Sequence, residues 1–133
     1  MNLDEIEGIG STYATTLQSH GLTTVDHLLE HGGSPSGRQA LAEKSGISER
    51  LILEWVNHAD LIRVDGVGGE YADLLEAAGV DSAPELAQRN AANLHARLAE
   101  VNEQKSLVRR VPSESEVEGW IENAKTLPRV VHH

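Results

Sequence analysis

Two tripeptides offer the most chemistry. Gly8-Ile9-Gly10 and Gly66-Val67-Gly68 each set an apolar residue between two glycines. Glycine enters φ > 0 without steric cost, so each tripeptide is expected to turn tightly, bury its central side chain and leave backbone N–H groups beside a following helix. Free N–H groups at the positive end of a helix dipole can cradle a phosphate without any charged side chain. The same turn can equally do no more than pack two helices together. Both readings stand for Gly8, Ile9, Gly10, Gly66, Val67 and Gly68.

Charge weighs on that choice. Glu7, Asp65, Glu70 and Asp73 lie beside the two tripeptides, and residues 1–37 contain no Lys or Arg. A helix dipole amounts to about half a charge at its end, which two or three nearby carboxylates can cancel. The whole chain, with 11 Lys and Arg against 21 Asp and Glu, carries a net charge of -10. A partner held mainly by its own negative charge is therefore disfavoured. Basic residues gather in one stretch, where Arg97, Lys105, Arg109 and Arg110 face only Glu100 and Glu103. These four are the candidate contacts for a polyanion, including a nucleic-acid backbone. They could instead neutralise the acidic first half within the fold or across a dimer, and Arg109-Arg110 before Val111-Pro112 is expected at a helix end, which favours cations.

Catalytic and metal chemistry find little support. His27 and His31 are spaced i, i+4 with His20 nearby, but Cys is absent and carboxylate ligands would have to converge from elsewhere. Asp26 and Asp81 read as first-turn acids of helices. Neither a nucleophile elbow nor a phosphate loop occurs. No enzyme activity, metal or cofactor is expected, and His132 and His133 have the look of a purification tag. The start, Met1 to Glu5, is acidic without an apolar leader, and no window approaches a membrane span. The absence of Cys fits a reducing compartment, so a cytoplasmic protein is expected.

The tripeptides belong to an internal repeat. Ile6-Glu7-Gly8-Ile9-Gly10 matches Val64-Asp65-Gly66-Val67-Gly68 at an offset of 58, which also carries Tyr13 to Tyr71, Ala14 to Ala72, Leu17 to Leu75, Gly21 to Gly79 and Leu28 to Leu86. The match resumes at Leu41-Ala42-Glu43 on Leu98-Ala99-Glu100, then at Trp55-Val56 on Trp120-Ile121. The change of offset from 57 to 65 implies an eight-residue insertion near 101–112. Two repeats, 1–62 and 63–133, packed as one compact domain, are expected.

Each copy reads as helices. Tyr13, Ala14 and Leu17 follow helical spacing until Gly21. Thr24 offers an N-cap for a short helix ended by Gly32-Gly33, a third covers roughly 37–44, and Ser48 opens a fourth with the stripe Leu51, Ile52, Trp55, Val56, Ala59 and Ile62. In the second copy Ser82 with Glu85 and Ser113 with Glu116 read as capping boxes, and a longer third helix starts near Asn93. No segment alternates long enough for a strand, so the fold class is all-α.

With those residues in place, Gly8-Ile9-Gly10 followed by Tyr13-Ala14, Leu17, Gly21-Leu22-Thr23-Thr24 and Asp26 to Leu29 resembles the helix-hairpin-helix units of DNA-handling proteins, as does the run from Gly66 to Leu86. Nearly the whole chain resembles a bacterial family of duplicated hairpin units described only as a domain of unknown function. That resemblance implies a fold and no activity. DNA-binding hairpins commonly place Lys or Arg after the second glycine, where this chain has Ser11-Thr12 and Gly69-Glu70. The segment Leu41 to Ser48 further resembles the helix-turn-helix of repressors, but Glu49, Leu53 and Glu54, with only Arg50 basic, suit a major groove poorly. The expected function is a non-catalytic binding or adaptor module that engages a protein or its own copy. The alternative is sequence-independent DNA or RNA binding through the hairpin amides and the 97–110 stretch.

Overall fold

A computed structural model describes residues 2–6 and 8–133; Met1, and Glu7 beside the first hairpin, lie outside the described residues. A short 3-10 helix at Leu3–Glu5 precedes eight α-helices: α1 (Gly10–Ser19), α2 (Val25–Gly32), α3 (Pro35–Ser45), α4 (Glu49–Ile62), α5 (Gly69–Ala77), α6 (Ala83–Ala87), α7 (Ala91–Lys105) and α8 (Glu114–Thr126). The fold is all-α. Among the described residues there is no strand, only an isolated bridge between Asn2 and Thr24, and no helix is long and apolar enough to cross a membrane.

The chain gathers into two compact units, one running up to Asp60 with Arg129–His133 added, the other Leu61–Pro128. The repeat limits expected at 1–62 and 63–133 differ from these chiefly at the C-terminal segment, which belongs with the first unit.

In the first unit the Thr24 hydroxyl accepts the His27 N–H at 3.1 Å and so caps α2. Ser34 does the same for α3 through the Gly37 N–H. Because Pro35 suits the first turn of a helix, α3 starts there and not at Gly37 as expected. Ser48 opens α4 by accepting the Leu51 N–H at 3.2 Å. The helices so started turn Leu28, Ile52, Trp55 and Val56 inward, and all four are buried, as is Leu17 of α1.

The second unit is built with the same devices. Ser82 accepts the Glu85 N–H, but the reciprocal arm of the expected capping box is missing: Glu85 turns to Arg89 at 3.3 Å and to Asp81, where burial and the Asp81 carboxyl raise its pKa. At Ser113 both arms of the box with Glu116 form. Helix α7 begins at Ala91, capped by Asn90, slightly ahead of the expected Asn93. Its Leu94 and Leu98 join Leu74, Leu75 and Leu86 in the core.

Backbone hydrogen bonds recur at the offset of 58. Ile6 to Leu3, Ile9 to Ile6 and Leu22 to Leu17 are matched by Val64 to Leu61, Val67 to Val64 and Val80 to Leu75, all between 2.9 and 3.3 Å. Each unit also packs a tyrosine against a tryptophan in a tilted pair: Tyr13 and Trp55 at 5.0 Å between centroids, Tyr71 and Trp120 at 5.1 Å.

Candidate functional site

Each hairpin opens with the conformation that demands glycine. Gly8 has φ 87° and Gly66 φ 89°, a left-handed region costly for any residue with a Cβ. Ile9 and Val67 are buried, which anchors both turns in their cores. The second glycines part ways. Gly10 has φ 68° and is the first residue of α1, whereas Gly68 is extended at φ -96° and precedes α5 as its N-cap.

No side chain caps α1 or α5, so their first N–H groups lack side-chain partners. The central amides are used internally, however, with Ile9 N–H donating to the Ile6 carbonyl and Val67 N–H to that of Val64. Beside the second hairpin Asp65 N–H donates to Asn123 Oδ1 at 2.9 Å. Glu70 is exposed in the first turn of α5. Fewer donors thus face outward than the glycine pattern alone suggests, and the second set lies beside a carboxylate.

The basic stretch is already partly paired. Arg97 donates to Glu100 at 3.2 Å. Arg110 grips Glu116 with two hydrogen bonds of 2.7 and 3.0 Å, and Glu116 also accepts the Ser113 N–H. The Arg110 hydrogen bonds, backed by that N–H, hold the Glu116 pKa down to about 2 and raise that of Arg110. Lys105 and Arg109 are exposed without a partner among the described residues. Arg109 and Arg110 are not at a helix end as expected: α7 stops at Lys105, where Ser106 turns left-handed at φ 51°. The loop that follows is held by Asn102, whose amide bonds both the N–H and the carbonyl of Val108. It is tied to the second aromatic pair, because the half-buried Tyr71 donates its hydroxyl to the Arg110 carbonyl at 3.1 Å.

The first aromatic pair differs. Among the described residues Tyr13 is the large hydrophobic side chain left exposed, at 38%, above a buried Trp55. It lies on α1 one turn beyond Gly10, on a face without a single Lys or Arg from residues 1–37.

His27 accepts the Thr23 N–H at 3.2 Å, a structural tie at the start of α2. His20 and His31 border a small cavity with Lys44 over Leu22 and Leu41. Among the described residues no three His, Asp or Glu converge as metal ligands would. In the segment resembling a helix-turn-helix, Leu41, Ile47, Ile52 and Trp55 are buried, while Glu49, Arg50 and Glu54 face solvent.

Arg38, which sequence reasoning passed over, is buried at 6% exposure. Its guanidinium donates to the carbonyls of Gly32, Gly33 and His132 at 2.9, 3.2 and 2.7 Å. Burial lowers its pKa and the charge of Glu49 opposes that. A helix leaves its last carbonyls unpaired, so the first cation after the end of α2 was the signal that could have found it. His132 and His133, set aside as a tag, lie in this contact: His132 N–H donates to the Gly33 carbonyl at 2.7 Å and His133 Nε2 meets Asn57 Oδ1 at 3.1 Å.

No curated protein and no solved structure matches this chain. A family model does match, over residues 7–127. That span takes in both hairpins, both aromatic pairs and the basic stretch, and so the chain belongs to the family described as Domain of unknown function (DUF4332).

Proposed function

We propose that this protein is a non-catalytic binding module that engages another protein through the α1 face of its first unit. The observation that carries the reading is Tyr13, exposed over a buried Trp55, while its counterpart Tyr71 is half-buried and tied through its hydroxyl to the Arg110 carbonyl. An aromatic ring with an apolar body and a polar tip, backed by a rigid buried partner, is the type of anchor that protein interfaces use. Single-stranded nucleic acids also stack on aromatic rings, but such sites pair the ring with a cationic groove. Residues 1–37 supply no cation, and in the other unit Arg97 and Arg110 are occupied by Glu100 and Glu116. Lys105 and Arg109 alone give a small electrostatic contribution to binding a polyanion.

Titration of the full chain against duplex and single-stranded DNA, at low and at moderate salt, separates the two classes. The expected result is no binding that weakens steeply with salt. Tight, salt-steep binding that is lost in an Arg109→Glu, Arg110→Glu double variant would overturn the reading in favour of the nucleic-acid alternative.

A further inference from the structure

The segment Arg129–His133 lies against the first unit in a way that reads backbone and not sequence. Gly33 accepts through its carbonyl from the N–H of His132, and Arg38 donates to the carbonyl of that same residue. His132 is thereby held by both of its main-chain groups, which any residue could offer. Beside it Val131 is buried at 2% exposure, an apolar socket next to a polar clasp. Gly33 permits the approach, since a Cβ there would run into the Val130 carbonyl oxygen. Arg38 is rigid in this role, because two of its three acceptors are the carbonyls at the end of α2. Those two bonds engage Nη1 and leave Nη2 to meet a peptide carbonyl from another segment.

We propose that this clasp, Gly33 and Arg38 with the site of Val131, is a receptor for a chain segment, and that residues 129–133 of a second copy can take the place of the resident segment. The contacts are identical whether the segment comes from the same chain or from another, so only effective concentration separates the two states. The proposal deepens the protein-binding reading by supplying a second surface and naming its occupant. It does not use Tyr13, and DNA binding by the chain would sink that reading while leaving this one standing.

The test uses full-length protein with Val131→Asp, which sets a charge in the socket and ejects the resident segment. The probe is a fluorescent synthetic peptide of residues 127–133, followed by anisotropy. Saturable binding is expected, about tenfold tighter than to the wild-type chain, where the resident segment competes at high effective concentration. Adding Arg38→Ala should weaken it by a similar factor. Absence of saturable binding to a variant that keeps the wild-type circular dichroism overturns the proposal, as does binding indifferent to Arg38→Ala. Should Val131→Asp not fold, the wild-type chain labelled with nitrogen-15 is mixed with a large excess of the unlabelled peptide. Shifts at the Gly33 and Arg38 amides support the exchange, and their absence rejects it.

Discussion

Tyr13 and Tyr71 sit in the first turns of α1 and α5 and lie tilted against a tryptophan at nearly the same distance, but they differ in exposure. In the second unit the loop after α7 brings the Arg110 carbonyl to the Tyr71 hydroxyl, and the Arg110 guanidinium is itself fixed on Glu116. In the first unit α3 passes to α4 through Gly46 at φ 74° with no such loop, and Tyr13 stays exposed. One local arrangement therefore leaves the tyrosine half-buried and tied to a loop in one unit, and exposed in the other. The loop after α7, more than the glycine turns, makes that difference.

The tryptophans give the largest test of that contrast. Trp55→Ala and Trp120→Ala each empty a nearly fully buried site and should cost about 3–5 kcal/mol, read from urea unfolding. Trp120→Ala is expected at the upper end, since it also loosens Tyr71 and the loop tied to it. If Trp55→Ala costs more, the loop adds nothing to the second pair.

The hairpin glycines come next. Gly8→Ala and Gly66→Ala force an L residue into left-handed backbone, at about 1–2 kcal/mol each. Space around Gly8 is open, whereas a Cβ on Gly66 would lie 2.9 Å from Trp120 Nε1. Gly66→Ala should thus be the more damaging of the two in the same unfolding assay. Equal losses would mean that the indole shifts at no cost, and the second hairpin would lose its distinction from the first.

These contrasts also mark what could be read before any coordinates. Helices and most of their caps were legible because Thr24, Ser48, Ser82 and Ser113 carry the chemistry that starts a helix within three residues. The positive φ of Gly8 and Gly66 was legible for the same local reason. What escaped depends on groups distant in sequence. At Arg38 nothing nearby in sequence announces that its third acceptor is the carbonyl of His132. The basic stretch looked like one patch because Glu116, which occupies Arg110, belongs to the next helix. Glu85 had the spacing of a capping box but was drawn off by Arg89 and Asp81, neighbours that the motif does not count.

The tyrosine hydroxyls sharpen the comparison on a finer scale. Tyr71→Phe removes one hydrogen bond and leaves the Arg110 carbonyl without its donor, which should cost about 1 kcal/mol. Tyr13→Phe removes a hydroxyl from an exposed ring and should change stability by less than about 0.5 kcal/mol. A measurable loss at Tyr13 would reveal a tie in the first unit that its exposure argues against.

The smallest effect concerns the clamp in the second unit. The folded-state pKa of Glu116 is about 2, below the ordinary range near 4.3, so the folded protein keeps this carboxylate ionised where the unfolded chain has begun to protonate. Its contribution to stability is therefore complete above the ordinary range and is lost as pH falls through that range towards 2. Glu116→Gln should flatten that part of the acid limb in a series of urea midpoints, with little change in its shape above it. The Arg110 side chain is 65% exposed and that of Glu116 38%, so water and salt screen the pair and the effect stays modest. Raising the ionic strength should shrink the difference between wild type and variant, because the loop is also held by Asn102 and Tyr71, whose hydrogen bonds carry no charge to screen. A difference that survives high salt would mean that Glu116 acts through its bond to the Ser113 N–H, and the loop of the second unit would then rest on a helix cap more than on an ion pair.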